Sequence, residues 1–98
     1  MIGTTFEELH DQLYYGCDVE MTDNMWFYMI YSAYLENGKH SISVWKFDSL
    51  GNDSKFSEEL YNKVCENTEE NINLFLNAKI FEGKSFMDIE QNIEIISM

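Results

Sequence analysis

The sequence predicts an α+β domain: a three-stranded antiparallel sheet with an N-terminal helix and a helical C-terminal half. Three observations predict it. A capped amphipathic pattern opens the chain. Strict alternation and an Asn-Gly turn occupy the middle. A helical period runs through the second half.

The opening segment "TFEELHDQLYYG" pairs Thr5 with Glu8 as a capping box and sets Phe6, Leu9 and Leu13 on one face before Gly16. A helix over residues 6–15 follows. In "CDVEMT", Cys17, Val19 and Met21 alternate with Asp18, Glu20 and Thr22, the two-residue period of a half-buried strand. Asp23 and Asn24 make the next turn.

Two longer strand patterns, Met25 to Glu36 and Lys39 to Asp48, flank Asn37-Gly38. A two-residue type I′ turn there would set Glu36 opposite Lys39 and fix the register. One face then carries Phe27, Met29, Tyr31, Ala33 and Leu35 with His40, Ile42, Val44 and Lys46, and reads as the main core. The other carries Trp26, Tyr28, Ile30, Ser32 and Tyr34 with Ser41, Ser43, Trp45 and Phe47. Its aromatic end is either covered by a helix or exposed as an interface.

"DSLGNDS" is a turn cluster, and Ser57 is placed to cap what comes after it. Leu60, Tyr61, Val64, Cys65, Thr68, Ile72, Phe75, Leu76 and Lys79 then recur at three- and four-residue steps. They predict one long helix, or two with a break near Asn67 and Thr68. "FEGKS" ends the pattern, Ser85 caps a last short helix to about Glu90, and "IEIIS" closes as a strand or a helical tail.

A chain of 98 residues, 45% hydrophobic and 15% aromatic, fits a single domain over 1–98 and is too apolar for the disordered class. Against 18 Asp and Glu stand 6 basic residues, all lysines at 39, 46, 55, 63, 79 and 84. Without arginine there is no bidentate fork for phosphate, and no local basic run displaces counterions from nucleic acid. Direct nucleic-acid binding is excluded on that ground, and a basic protein partner is favoured.

The apolar stretch from Met25 to Leu35 is far shorter than the ~20 residues of a spanning helix and stops at a turn. A membrane anchor is rejected. The start "MIGTTFEELH" lacks a basic n-region and a long apolar run, and the two cysteines, Cys17 and Cys65, show no CxxC spacing. Free thiols in the cytoplasm of a host cell are expected.

No catalytic signature emerges, and the chain is read as not an enzyme, without cofactor or metal. "AKIFEGKS" fits a loosened phosphate-loop pattern, but bulky Ile80 and Phe81 and acidic Glu82 stand where a glycine-rich cradle is needed. A helix stop and restart explains it. "DSLGNDSKFSEE" places Asp48, Asn52 and Glu59 at calcium-loop positions, yet Leu50 and Asp53 fail at two others. His10 and His40 have no partner at metal spacing on the same element, and neither cysteine has an imidazole base nearby in sequence.

The carboxylates are the most informative residues. Glu58, Glu59, Glu66, Glu69 and Glu70 crowd the predicted long helix with Lys63 as their only interleaved cation; Glu7, Glu8 and Asp11 form a second group. Like charges four apart destabilise a helix, which singles out the five as electrostatic partner-binding candidates. Trp26, Tyr28, Trp45 and Phe47 are the aromatic anchor candidates. A surface of ~5,800 Å² leaves ~500 Å² for each of twelve net charges. Duplex DNA, with a charge every ~1.7 Å of axis on a cylinder of ~10 Å radius, has ~100 Å² per charge. DNA mimicry therefore requires the carboxylates to gather on one side.

The tail "NLFLNAKIFEGKSFMDIEQNIEI" resembles endings of small proteins of phages and mobile elements, and "TFEELHDQLYYG" resembles the matching start. Size, acidity and a small antiparallel sheet with helices are similar in type to anti-CRISPR and other anti-defence proteins, and to immunity proteins of nuclease toxins. The resemblance implies no catalytic residue. It implies an inhibitor that binds a basic nucleic-acid-handling protein, such as a nuclease, and occludes its DNA or RNA site. Two alternatives stay open: an immunity or antitoxin protein neutralising a cationic toxin, and a homo-oligomeric adaptor hiding its aromatic face in a homodimer.

Overall fold

The computed structural model describes the backbone of residues 1–98 and every side chain except that of Asn52. It is α+β with an N-terminal helix, as expected, but the sheet has five strands and the helices are three and short. Helix α1 (Phe6–Tyr14) leads into β1 (Val19–Thr22), β2 (Phe27–Tyr34), β3 (His40–Phe47) and β4 (Ser57–Cys65). Helices α2 (Thr68–Asn77) and α3 (Phe86–Ile89) precede β5 (Glu94–Ser97). The strands lie in the order β4-β3-β2-β1-β5, and every neighbouring pair is antiparallel.

The expected helical C-terminal half is corrected on two counts. Ser57–Cys65 is a strand, and only the part from Thr68 is helical. The residues Leu60, Tyr61, Val64 and Cys65 fit a helical period, but as a strand the segment pairs with the whole of β3, from His40↔Cys65 to Phe47↔Ser57. That pairing satisfies the β3 backbone groups, which a helix at 57–65 would leave without ladder partners. The tail resolves to a strand that extends the sheet beyond β1.

Two caps read from sequence are in place, at Thr5 and Ser85, whereas Ser57, expected to cap a helix, instead opens β4. Thr5 Oγ1 accepts from Glu8 N at 3.2 Å, although the Glu8 carboxylate accepts from Thr4 rather than closing the box. Asn67 Oδ1 accepts from Glu70 N at 2.9 Å and starts α2. Ser85 and Asp88 close a reciprocal capping box on α3.

The β2–β3 hairpin differs from the expected register by one residue. Leu35 O accepts from Gly38 N at 2.9 Å, and only Gly38 (φ 82°) of the Asn-Gly pair has positive φ, so Tyr34, not Leu35, faces His40. The turn with positive φ at both central residues is Glu82-Gly83, between Phe81 and Lys84. Because side chains alternate, a slip of one residue exchanges the faces of β2. Tyr28, Ile30 and Ser32 therefore join Val44, Ile42 and His40 beneath the helices. Phe27, Met29, Tyr31 and Ala33 join Phe47, Trp45, Ser43 and Ser41 on the opposite face.

All three helices pack on one side. Leu9 and Leu13 of α1, Ile72 and Phe75 of α2 and Phe86 of α3 meet Val19, Met21, Ile30, Ile42 and Val44 in a single core. A buried polar network ties this layer to the sheet. His40 Nε2 donates to Leu13 O at 2.8 Å, as does Ser32 Oγ at 2.6 Å. Asn71 Nδ2 donates to His40 O at 2.9 Å and lies 3.1 Å from His40 Nδ1. His40 is thus a structural residue, tied to α1 through Leu13 and to α2 through Asn71. Among the described residues, no helix is long and apolar enough to cross a membrane.

Candidate functional site

The helices leave the other face of the sheet uncovered. Open antiparallel faces are commonly polar, but this one carries Phe27, Met29, Tyr31, Trp45 and Phe47. Register places them in rows. One row reads Glu59–Trp45–Met29–Glu20–Ser97 across β4, β3, β2, β1 and β5. The next reads Ser57–Phe47–Phe27–Thr22–Glu94. Beyond them Asn62, Ser43 and Tyr31 align, then Val64, Ser41 and Ala33.

The face therefore has an apolar centre on β2 and β3 and carboxylates on β1, β4 and β5. The two strand lysines, Lys46 and Lys63, pair with Tyr28 and Ile42 and so lie on the helix side. Trp45, Met29, Phe27 and Phe47 are half-buried, and Tyr31 is 39% exposed.

The segment after β3 folds over one end of this face. Asp48 Oδ1 accepts from Ser54 Oγ at 2.8 Å and from the backbone N–H of Lys55 and Phe56 at 3.1 and 3.3 Å. These bonds, the Ser54 hydroxyl first, hold the Asp48 carboxyl below the usual carboxylate range. Asp48, at the first position of the rejected calcium-loop spacing, thus closes its own loop. Ser49, Leu50 and Gly51 of that loop, with Phe47, Met29, Tyr31 and Glu20, enclose a cleft of about 320 Å³. Among the described residues, no group of three or more His, Cys, Asp or Glu side chains could hold a metal ion.

The four aromatic candidates separate. Trp45 and Phe47 are on the uncovered face. Tyr28 is buried under Phe81, at a ring distance of 5.2 Å, and donates to Asp23 Oδ2 at 3.1 Å; burial first, and then Asp23, pushes its phenol upward. Trp26 is on the helix side, its ring covered by the Lys46 ammonium 4.0 Å from its centroid and flanked by Phe56. The expected register puts Met29, Phe27 and Tyr31 in the core; a turn with only Gly38 in the left-handed region reverses that and sets their true face.

The five glutamates separate as well. Glu58 pairs with Lys46 on the helix side and Glu59 with Trp45 on the open side. Glu66 is in the turn before α2, and Glu69 and Glu70 are in its first turn, where carboxylates suit the helix N-terminus. Glu69 is engaged by His10 of α1, with Oε1 2.9 Å from Nε2, and this bond raises the imidazole pKa above 6.5. The helical spacing of Glu66 and Glu70 does not exist, because Glu66 precedes the helix. Carboxylates occur on every layer, and an area of 5840 Å² leaves about 490 Å² for each net charge.

Cys17 is exposed and Cys65 half-buried, both as free thiols. The phosphate-loop look-alike is the tight turn at Glu82-Gly83 followed by the α3 cap, with Phe81 buried. No known family, no curated protein and no solved structure matches the chain.

Proposed function

We propose that this protein is a non-enzymatic inhibitor of the anti-defence type, which docks its uncovered sheet face on a basic nucleic-acid-handling protein and occludes the DNA or RNA site. The observation that carries the reading is the row Glu59–Trp45–Met29–Glu20. An aromatic and methionine centre flanked on both sides by carboxylates has the anatomy of a binding surface.

Charge selects the partner. With a net charge of -12, the chain is drawn to a cationic surface and steered to it from a distance. Surfaces that neutralise phosphates are of that kind. A second copy is a poor match, since it would bring Glu20 and Glu59 against their own counterparts under a like net charge. At about 490 Å² per charge the surface as a whole is too dilute to imitate a duplex, so occlusion rests on coverage by the aromatic face.

The test is capture of partners from nuclease-treated host lysate by the tagged chain and by its Trp45→Ser variant, at low and high salt. The captured protein is then assayed for DNA and RNA binding. The reading expects a basic protein lost from the variant and displaced from its nucleic acid by the wild-type chain. A captured protein that holds its nucleic acid undisturbed, or one bound equally by the variant, contradicts it.

A further inference from the structure

We infer that the cleft between the sheet face and the loop after β3 is a receptor for a single arginine side chain of the partner. The inference rests on the docking reading above and names its anchor. At about 320 Å³ the cleft is at the lower end of ligand sites, sized for one side chain rather than a cofactor.

Its walls match an amphipathic cation. Met29, Phe47 and Leu50 supply apolar surface for a methylene stem, and Tyr31 an aromatic ring at which a guanidinium can stack. Glu20 supplies a carboxylate with no cation within 4.0 Å among the described residues. Ser49 lines the same cleft, and its Oγ is buried with no hydrogen-bond partner among the described residues. An unsatisfied buried hydroxyl is costly and calls for a partner.

A guanidinium offers five N–H donors in a planar fork, enough to serve Glu20 and, once rotation about χ1 turns it into the cleft, the buried Ser49 hydroxyl, while its face rests on an aromatic ring. A lysine ammonium meets the charge but not the plane. The chain itself contains no arginine, so the occupant comes from another protein and not from a second copy.

Acetyl-arginine-N-methylamide is the probe, titrated into the whole chain with the Met29 and Leu50 methyl signals followed by NMR. The citrulline and lysine analogues, and the variant Glu20→Gln, are run in parallel. The inference expects saturable shifts at both methyls with the arginine probe. It expects none with citrulline and weaker binding with lysine, and affinity reduced about tenfold in Glu20→Gln with its amide spectrum otherwise intact. Absence of saturable shifts overturns it, as do equal binding of citrulline or lysine and indifference to Glu20→Gln. If the probe fails while Trp45→Ser still loses the captured partner, the arginine receptor falls and the docking reading stands.

Discussion

Trp45 and Met29 face each other across β3 and β2 on the side of the sheet that no helix covers, with Glu59 and Glu20 flanking them in the same row. Removing the indole should remove an anchor without removing the core. Trp45→Ser is expected to weaken partner binding by about thirtyfold, as loss of a central interface residue does. Tyr15→Ser, at a residue 71% exposed beyond the end of α1, should leave it unchanged. Calorimetric titration of the captured partner measures both.

Long-range attraction should be separable from that anchor. Glu58, Glu66 and Glu70 have no cation within 4.0 Å among the described residues. Replacing all three by Gln should slow association several-fold at low salt and flatten its salt dependence, with dissociation little altered. Stopped-flow mixing over a range of ionic strength reads both rates.

Asn71 holds α2 to β3 through His40. Asn71→Ala leaves the His40 carbonyl and Nδ1 buried without their donor. It is expected to cost about 1–3 kcal/mol. Urea unfolding should show a lower midpoint with an unchanged slope.

His10 should titrate above the ordinary 6.5, because the Glu69 carboxylate bonds to its ring, with Asp11 adding to the effect. Since the folded value is the higher one, the stabilisation is complete below about pH 6.5 and is lost as pH rises through the folded pKa. Both side chains are substantially exposed, so the contribution is small. Proton NMR of the imidazole should show the raised midpoint, and Glu69→Gln should move it down toward 6.5.

Gly38 sets the hairpin register through its positive φ. Gly38→Ala is expected to cost about 1 kcal/mol and Gly38→Asn less, because asparagine tolerates the left-handed region. Thermal unfolding of the two variants checks the order.

The capped ends were legible because capping is local. Thr5 and Ser85 bond to backbone within three residues and set the starts of α1 and α3, whereas the Asn67 cap of α2 was legible only as a break in the helical pattern and Ser57, expected to cap, opens a strand. Strand β4 was not legible, since Ser57–Cys65 carries a helix-compatible spacing and becomes a strand only through pairing with β3. The candidate site was half legible. Trp45 and Phe47 share a face by the alternation of β3 alone, but Asn37-Gly38 supports two turns that differ by one residue. The choice between them decides whether Ile30 or Met29 stands opposite Trp45. Glu59 and Glu20 became a pair only when β4 and β1 took their places in the sheet.

Docking through the uncovered sheet face is read out by hydroxyl-radical footprinting of the free chain and of its complex with the captured partner. Oxidation of Met29, Trp45 and Phe47 should fall on binding, while Tyr15 and Met25, 71% and 79% exposed, stay reactive. Protection of Tyr15 and Leu74 on the helical layer, with Met29 and Trp45 as reactive as in the free chain, would contradict the account.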